Sequence, residues 1–139
     1  MIILDTNVIS EVLRPNVSPL VDGWINKQRI ETLFVASVNL AEIWAGIEIM
    51  PSGKRKSEIL TGSNSIITTL FESRILNFDR DAAKAYALLI ARSRLNGISI
   101  SVVDGQIAAI ALVNNFVVAT RDTLPFEAAK VKVVNPWRL

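Results

Sequence analysis

Short apolar runs alternate with longer amphipathic stretches along this chain. The runs are IIL (2–4), LFVA (33–36), ILNF (75–78), FVVA (116–119) and VKVV (131–134), all rich in branched apolar residues, and they read as strands. Between them the apolar spacing is helical. Ser18 followed by Pro19 marks an N-cap with proline at the first helical position, opening a helix to about Gln28. Asn39 starts a second helix, through Ile49, and a third fills roughly 56–71. Asp79 caps a fourth that runs to Leu95, where Asn96-Gly97 supplies a left-handed stop. Ser101 caps a fifth, ending near Asn114-Asn115. RPNVSP (14–19) and PSGK (51–54) are the clearest breaks.

Strands alternating with helices of ten or more residues predict an α/β protein with a mostly parallel sheet. FVVA is apolar at every position, as expected where helices cover both faces. In such sheets ligands bind off the C-terminal ends of the strands. Those strand ends are therefore the places to look for chemistry.

The chain has 139 residues, which fits one domain over 1–139. Half of it is hydrophobic, ample for a core. No apolar stretch reaches the roughly 18 residues that would span a bilayer, and the start lacks a secretory leader pattern. Cysteine is absent, which excludes disulfides and thiolate chemistry and suits a cytoplasmic location. Histidine is absent too, so there is no imidazole base and no Ser-His-Asp triad. Carboxylates, hydroxyls, Lys, Arg or Tyr must do any chemistry. A net charge of +2 is compatible with a nucleic-acid partner without arguing for one. The one dense basic cluster, Lys54-Arg55-Lys56, reads as a solvated helix start.

Four acids fall at strand-to-helix junctions. Asp5 ends the first strand, and Asp122 follows FVVAT. Glu42 and Asp104 fall in the expected first turns of the helices opened by Asn39 and Ser101. Each has a structural explanation. Asp5 could cap a turn at 6–10, and Asp122 could close an Asx-turn. Asn39-x-x-Glu42 and Ser101-x-x-Asp104 both approximate a capping box. Yet Glu42 and Asp104 have apolar neighbours on both sides, which a solvent-facing cap does not need. If the sheet gathers these positions, the carboxylates repel one another unless a cation joins them. Oxygen ligands without His or Cys suit magnesium or manganese. Such a site serves phosphate or phosphodiester hydrolysis.

MIILDTNVISE, the isolated Glu42 after a hydroxyl-bearing strand end, DGQIAAIA (104–111) and VVATRD (117–122) together resemble the PIN domain, in order and over the whole chain. Within that family the chain looks most like a VapC-type toxin. ILNFD (75–79) and the closing NPWRL (135–139) are similar to the FitB-like branch. The resemblance implies an α/β/α sandwich around a twisted, mostly parallel sheet of four to five strands. It implies a magnesium- or manganese-dependent ribonuclease with Asp5, Glu42 and Asp104 as metal-binding acids. Asp122 falls where the family has Asn or Asp, and Thr6 and Thr120 fall at supporting hydroxyl positions. Many members carry a further acid before the Phe of the last motif. Here Pro125 stands there, so four acids are the most the site can have, and Asp122 is expected to act through water or on a second metal only. The resemblance further implies a small DNA-binding antitoxin, an RNA substrate and a homodimer. Trp24, Ile43 and Trp44 are candidates for a groove that takes a partner helix, with core packing the alternative for at least one tryptophan.

Other readings are weaker. A haloacid-dehalogenase-type phosphatase needs a second acid two residues after the first, where this chain has Asn7. A receiver domain needs paired acids after the first strand, which DTN does not supply. A non-catalytic module that recognises a basic peptide or nucleic acid is disfavoured by the intact acid set.

Overall fold

A computed structural model describes residues 1–138. Its sheet consists of β1 (Ile2–Leu4), β2 (Leu33–Ala36), β3 (Ile75–Leu76), β4 (Val117–Ala119) and β5 (Val133–Val134). The spatial order is β3-β2-β1-β4-β5, and every neighbouring pair runs parallel. β1 is central, with Ile3 in register with Phe34 on one side and Val118 on the other. The chain winds outward from β1 through β2 to β3, then returns to the other side of β1 for β4 and β5. The winding direction reverses at β1, so the crevice at its C-terminal end is the natural ligand site of this topology.

Helices α1 (Thr6–Val12), α2 (Pro19–Ile25), α3 (Ser37–Ile49) and α4 (Lys54–Ile66) follow the first two strands. The end of α4 widens into a π-turn, Ile67–Phe71. Then come α5 (Arg80–Leu95), α6 (Val102–Asn114) and α7 (Leu124–Ala128). Alternation along the strands sorts the core into two layers. Leu4, Leu33, Val35 and Ala119 join Val8, Val21, Leu40 and Ile43 on one face. Ile3, Ala36 and Val118 join Leu89, Ile107, Ile110 and Phe126 on the other. The result is the expected α/β/α sandwich. No helix among the described residues is long and apolar enough to cross a membrane.

β1 and β2 match their expected bounds, whereas the other three strands are shorter than the apolar runs that signalled them. Asp79 and Ser101 cap α5 and α6 as expected, accepting from the Ala82 and Asp104 amides. Gly97, at φ +71°, and Asn115, at φ +54°, take the left-handed conformation at the two C-terminal ends. Three expectations need correction. Residues 6–10 belong to a helix rather than a turn, because the Asp5 side chain accepts from the Thr6 amide and starts α1. Ser18 precedes α2 without a side-chain cap bond; its own amide instead donates to Glu11 Oε1 at 2.8 Å. α3 begins at Ser37, not Asn39, so Glu42 lies in its second turn. Asn39 turns back and accepts from the Ala36 amide at 2.9 Å.

Candidate active site

Asp5 leaves β1 at the crevice. Its backbone amide continues the sheet by donating to the Ala119 carbonyl at 2.9 Å. Its side chain is only 5% exposed and is held on both oxygens. Oδ1 accepts from the Thr6 amide at 2.8 Å. Oδ2 accepts from Thr120 Oγ1 at 2.7 Å and from Asn7 Nδ2 at 2.9 Å. The next residue reaches the other way. Thr6 Oγ1 donates to Glu42 Oε1 at 2.5 Å and accepts from Asn39 Nδ2 at 3.1 Å. One chain of polar contacts thus links the ends of β1, β2 and β4.

The acids differ in setting. Glu42 is exposed, Asp104 is half-buried, and Asp122 is exposed on the loop after β4. The Asp5 carboxyl is pushed up to about 6, chiefly because burial disfavours its charge. Bonds from Thr120 and the Thr6 amide oppose that rise, and the charges of Asp104 and Glu42 add to it. Those two acids therefore share an electrostatic neighbourhood with Asp5. Asp122 enters through its backbone, its amide donating to Thr120 Oγ1 at 3.1 Å. Among the described residues, no three acidic side chains approach closely enough to cage one ion by themselves.

Only half of the Ser101-x-x-Asp104 box forms. Ser101 Oγ accepts from the Asp104 amide at 3.2 Å, while the Asp104 carboxylate makes no return bond among the described residues. That carboxylate remains available to the crevice. Asn39, which is fully buried, and Asn7 are site residues that sequence reasoning assigned to a cap and to a missing acid. Their signal was an amide at a strand-to-helix junction leading into apolar sequence, where a buried amide must find partners.

A groove of about 610 Å³ runs from Thr6 and Glu42 between α1, α3 and α4, floored by Ile43, Ile47 and Ile59 and edged by Arg14 and Arg55. The expected groove of Trp24, Ile43 and Trp44 is only partly realised. Ile43 lines it, but Trp24 is buried in the core and Trp44 turns away, its Nε1 donating to Asn64 Oδ1.

The PIN domain family model matches residues 2–131. Among its relatives, the plasmid stability protein StbB of Pseudomonas syringae pv. tomato is 48% identical, over 99% of both chains. The VapC ribonuclease Y4jK of Sinorhizobium fredii is 43% identical, over 99% of this chain and 98% of the relative. The toxin FitB of Neisseria gonorrhoeae is 40% identical, over 99% of each. The crystal structure of FitAcB from that organism superposes over the full length of both chains with a TM-score of 0.95 at 40% identity. A structure of FitAB bound to an IR36 DNA fragment has the same score and identity, covering 100% of this chain and 97% of that one. By sequence and by fold, the chain belongs to the PIN-domain family, in the branch of these VapC and FitB relatives.

Proposed function

We propose that the chain is a metal-dependent endoribonuclease that acts as the cytoplasmic toxin of a toxin–antitoxin pair. One observation carries this reading: a buried Asp5, braced by Thr120 and Asn7, lies at the sheet's switch point within the field of Glu42 and Asp104. The similarity to a VapC ribonuclease and to the toxin FitB supports it.

The donor set fits magnesium or manganese. It is oxygen only, and a cation would relieve the repulsion that Asp5 feels from its neighbours. Asp5, Glu42 and Asp104 would hold the ion, with water and an RNA phosphate filling what three loosely gathered acids leave open. A metal held there would supply Lewis-acid activation of a water and charge stabilisation on the leaving oxygen. Thr120 and Asn7 fix Asp5, while Thr6 and Asn39 fix Glu42. Asp122 acts through water.

We assign the groove beside Glu42 to a small DNA-binding antitoxin, in keeping with the related FitAB structure bound to a DNA fragment. Exposed Leu88, Leu95 and Val113 on α5 and α6 offer a homodimer face. The test of catalysis is cleavage of single-stranded RNA with magnesium or manganese, against a chelator control. Asp5→Asn, Glu42→Gln and Asp104→Asn should each lose cleavage while keeping the fold. Full cleavage in chelator, or by Asp104→Asn, would overturn the reading.

A further inference from the structure

The loop between β4 and α7 carries a cation that the site's acids do not engage. Arg121 stands between Thr120, whose hydroxyl bonds Asp5, and Asp122. Its backbone is tied at both ends. The Arg121 amide donates to Asn7 Oδ1 at 3.1 Å, and its carbonyl accepts from Asn135 Nδ2 at 3.2 Å. Its guanidinium carbon lies 4.2 Å from the centroid of the Trp137 ring. Nη2 lies 4.0 Å from Glu11 Oε2.

Both supports are themselves fixed. Glu11 is 6% exposed, accepts from the Ser18 amide through Oε1 and pairs with Arg14 through Oε2. The Trp137 amide donates to Asn135 Oδ1 at 2.9 Å, so one asparagine ties the tryptophan to the Arg121 carbonyl. The Arg121 side chain is nevertheless 59% exposed. Among the described residues its guanidinium makes no hydrogen bond, and its ion pair is with Glu11, not with Asp5, Glu42, Asp104 or Asp122.

A guanidinium one residue from a carboxylate site would ordinarily close onto it, because the planar fork pairs bidentately with carboxylates. Stacking on an aromatic ring holds the fork in one orientation and leaves its edge available. That edge matches a phosphodiester. We propose that Arg121 is a substrate-contacting residue that takes a backbone phosphate of single-stranded RNA at the rim of the acid site. Trp137 and Glu11 are the positioning residues that hold its guanidinium there and off the acids. The inference rests on the nuclease reading of the same site, and it names the group that grips the substrate.

The test separates grip from cleavage. A short fluorescein-labelled single-stranded RNA of mixed sequence is bound to the full chain in chelator, and anisotropy is followed across a salt series. The same RNA is then offered with manganese to read cleavage. Neutralising one phosphate contact lowers the slope of log affinity against log salt by about 0.7 for a single strand. Arg121→Gln should show that loss together with severalfold weaker binding. Arg121→Lys should keep the slope, since it keeps the charge, but bind less tightly for want of the fork. Trp137→Leu should weaken binding at an unchanged slope, and Trp137→Phe, which restores a ring, should recover most of it. If Trp137→Leu fails to fold by circular dichroism, the two Arg121 variants and Trp137→Phe decide the question. Parent affinity and parent slope in Arg121→Gln would overturn the assignment even if the parent cleaves RNA. So would a parent chain that binds no RNA. Arg121-dependent binding without cleavage would sustain the contact and overturn the nuclease reading alone.

Discussion

Thr120 Oγ1 donates to Asp5 Oδ2 at 2.7 Å, across the seam where β4 meets β1. The same oxygen accepts from Asn7 Nδ2 and from the Asp122 amide, both at 3.1 Å. Thr120 is fully buried, so these bonds have no water to replace them. Thr120→Val should leave the Asp5 carboxylate and the Asn7 amide each short of a partner. The expected loss is about 1–3 kcal/mol of stability in urea denaturation. Thr120→Ser should retain most of it. A Thr120→Val variant as stable as the parent would show that the hydroxyl contributes nothing at this position.

The raised Asp5 carboxyl makes metal-free stability depend on pH. With a folded value of about 6 against an ordinary 3.8, the folded chain binds this proton more tightly than the unfolded chain does. This group therefore adds stability as pH falls from about 7 through 6 towards 4, and opposes folding above 6. A shift of this size corresponds to roughly 3 kcal/mol. Melts in chelator should give a higher Tm near pH 5 than near pH 7.5, and Asp5→Asn should flatten that rise. A parent Tm that falls steadily from neutral pH downward would contradict it.

Asp104→Asn removes one charge from the neighbourhood of Asp5. The Ser101 cap accepts from the Asp104 amide rather than meeting its carboxylate, so the substitution leaves the cap bond in place. In chelator the variant should melt at or above the parent temperature, because repulsion is relieved. Saturating magnesium should then raise the parent's Tm more than the variant's, by linkage. A variant clearly less stable than the parent in chelator would make Asp104 a structural residue first.

Gly105, immediately after that acid, packs α6 closely against Tyr86 and Ile90 of α5. A Cβ built there would lie 2.8 Å from Tyr86 Cε2 and 3.1 Å from Ile90 Cδ1. Gly105→Ala gains up to about 1 kcal/mol of helix propensity, but it overpacks a contact that must give way, at a cost of about 1–3 kcal/mol. A net loss of stability is expected. The displaced α6 should also move Asp104, so cleavage should fall along with Tm. A more stable Gly105→Ala would mean that Tyr86 swings aside freely.

The apolar runs and caps of the sequence determined most of the framework. Ile2–Leu4 and Leu33–Ala36 are strands because branched apolar residues run unbroken to a polar stop; α5 and α6 start on side-chain caps and end at left-handed Gly97 and Asn115. Local signals of that kind need no distant partner. The short helix α1 escaped notice because its first residues, Thr6 and Asn7, look like turn formers; they serve instead as partners for Glu42 and Asp5. The PIN resemblance and the composition together named the acids, but only as positions along the chain. The sheet order decided which of them meet. Placing β4 beside β1 brings Thr120 to Asp5 over 115 residues of sequence, and the turn into α3 brings Glu42 to Thr6. The exposure of Asp122, the burial of Asn39 and the stacking of Arg121 on Trp137 were likewise beyond reach. Hydrogen bonds and ring contacts depend on distances of a few ångströms between residues remote in sequence, and only the packed sheet and its covering helices fix those distances.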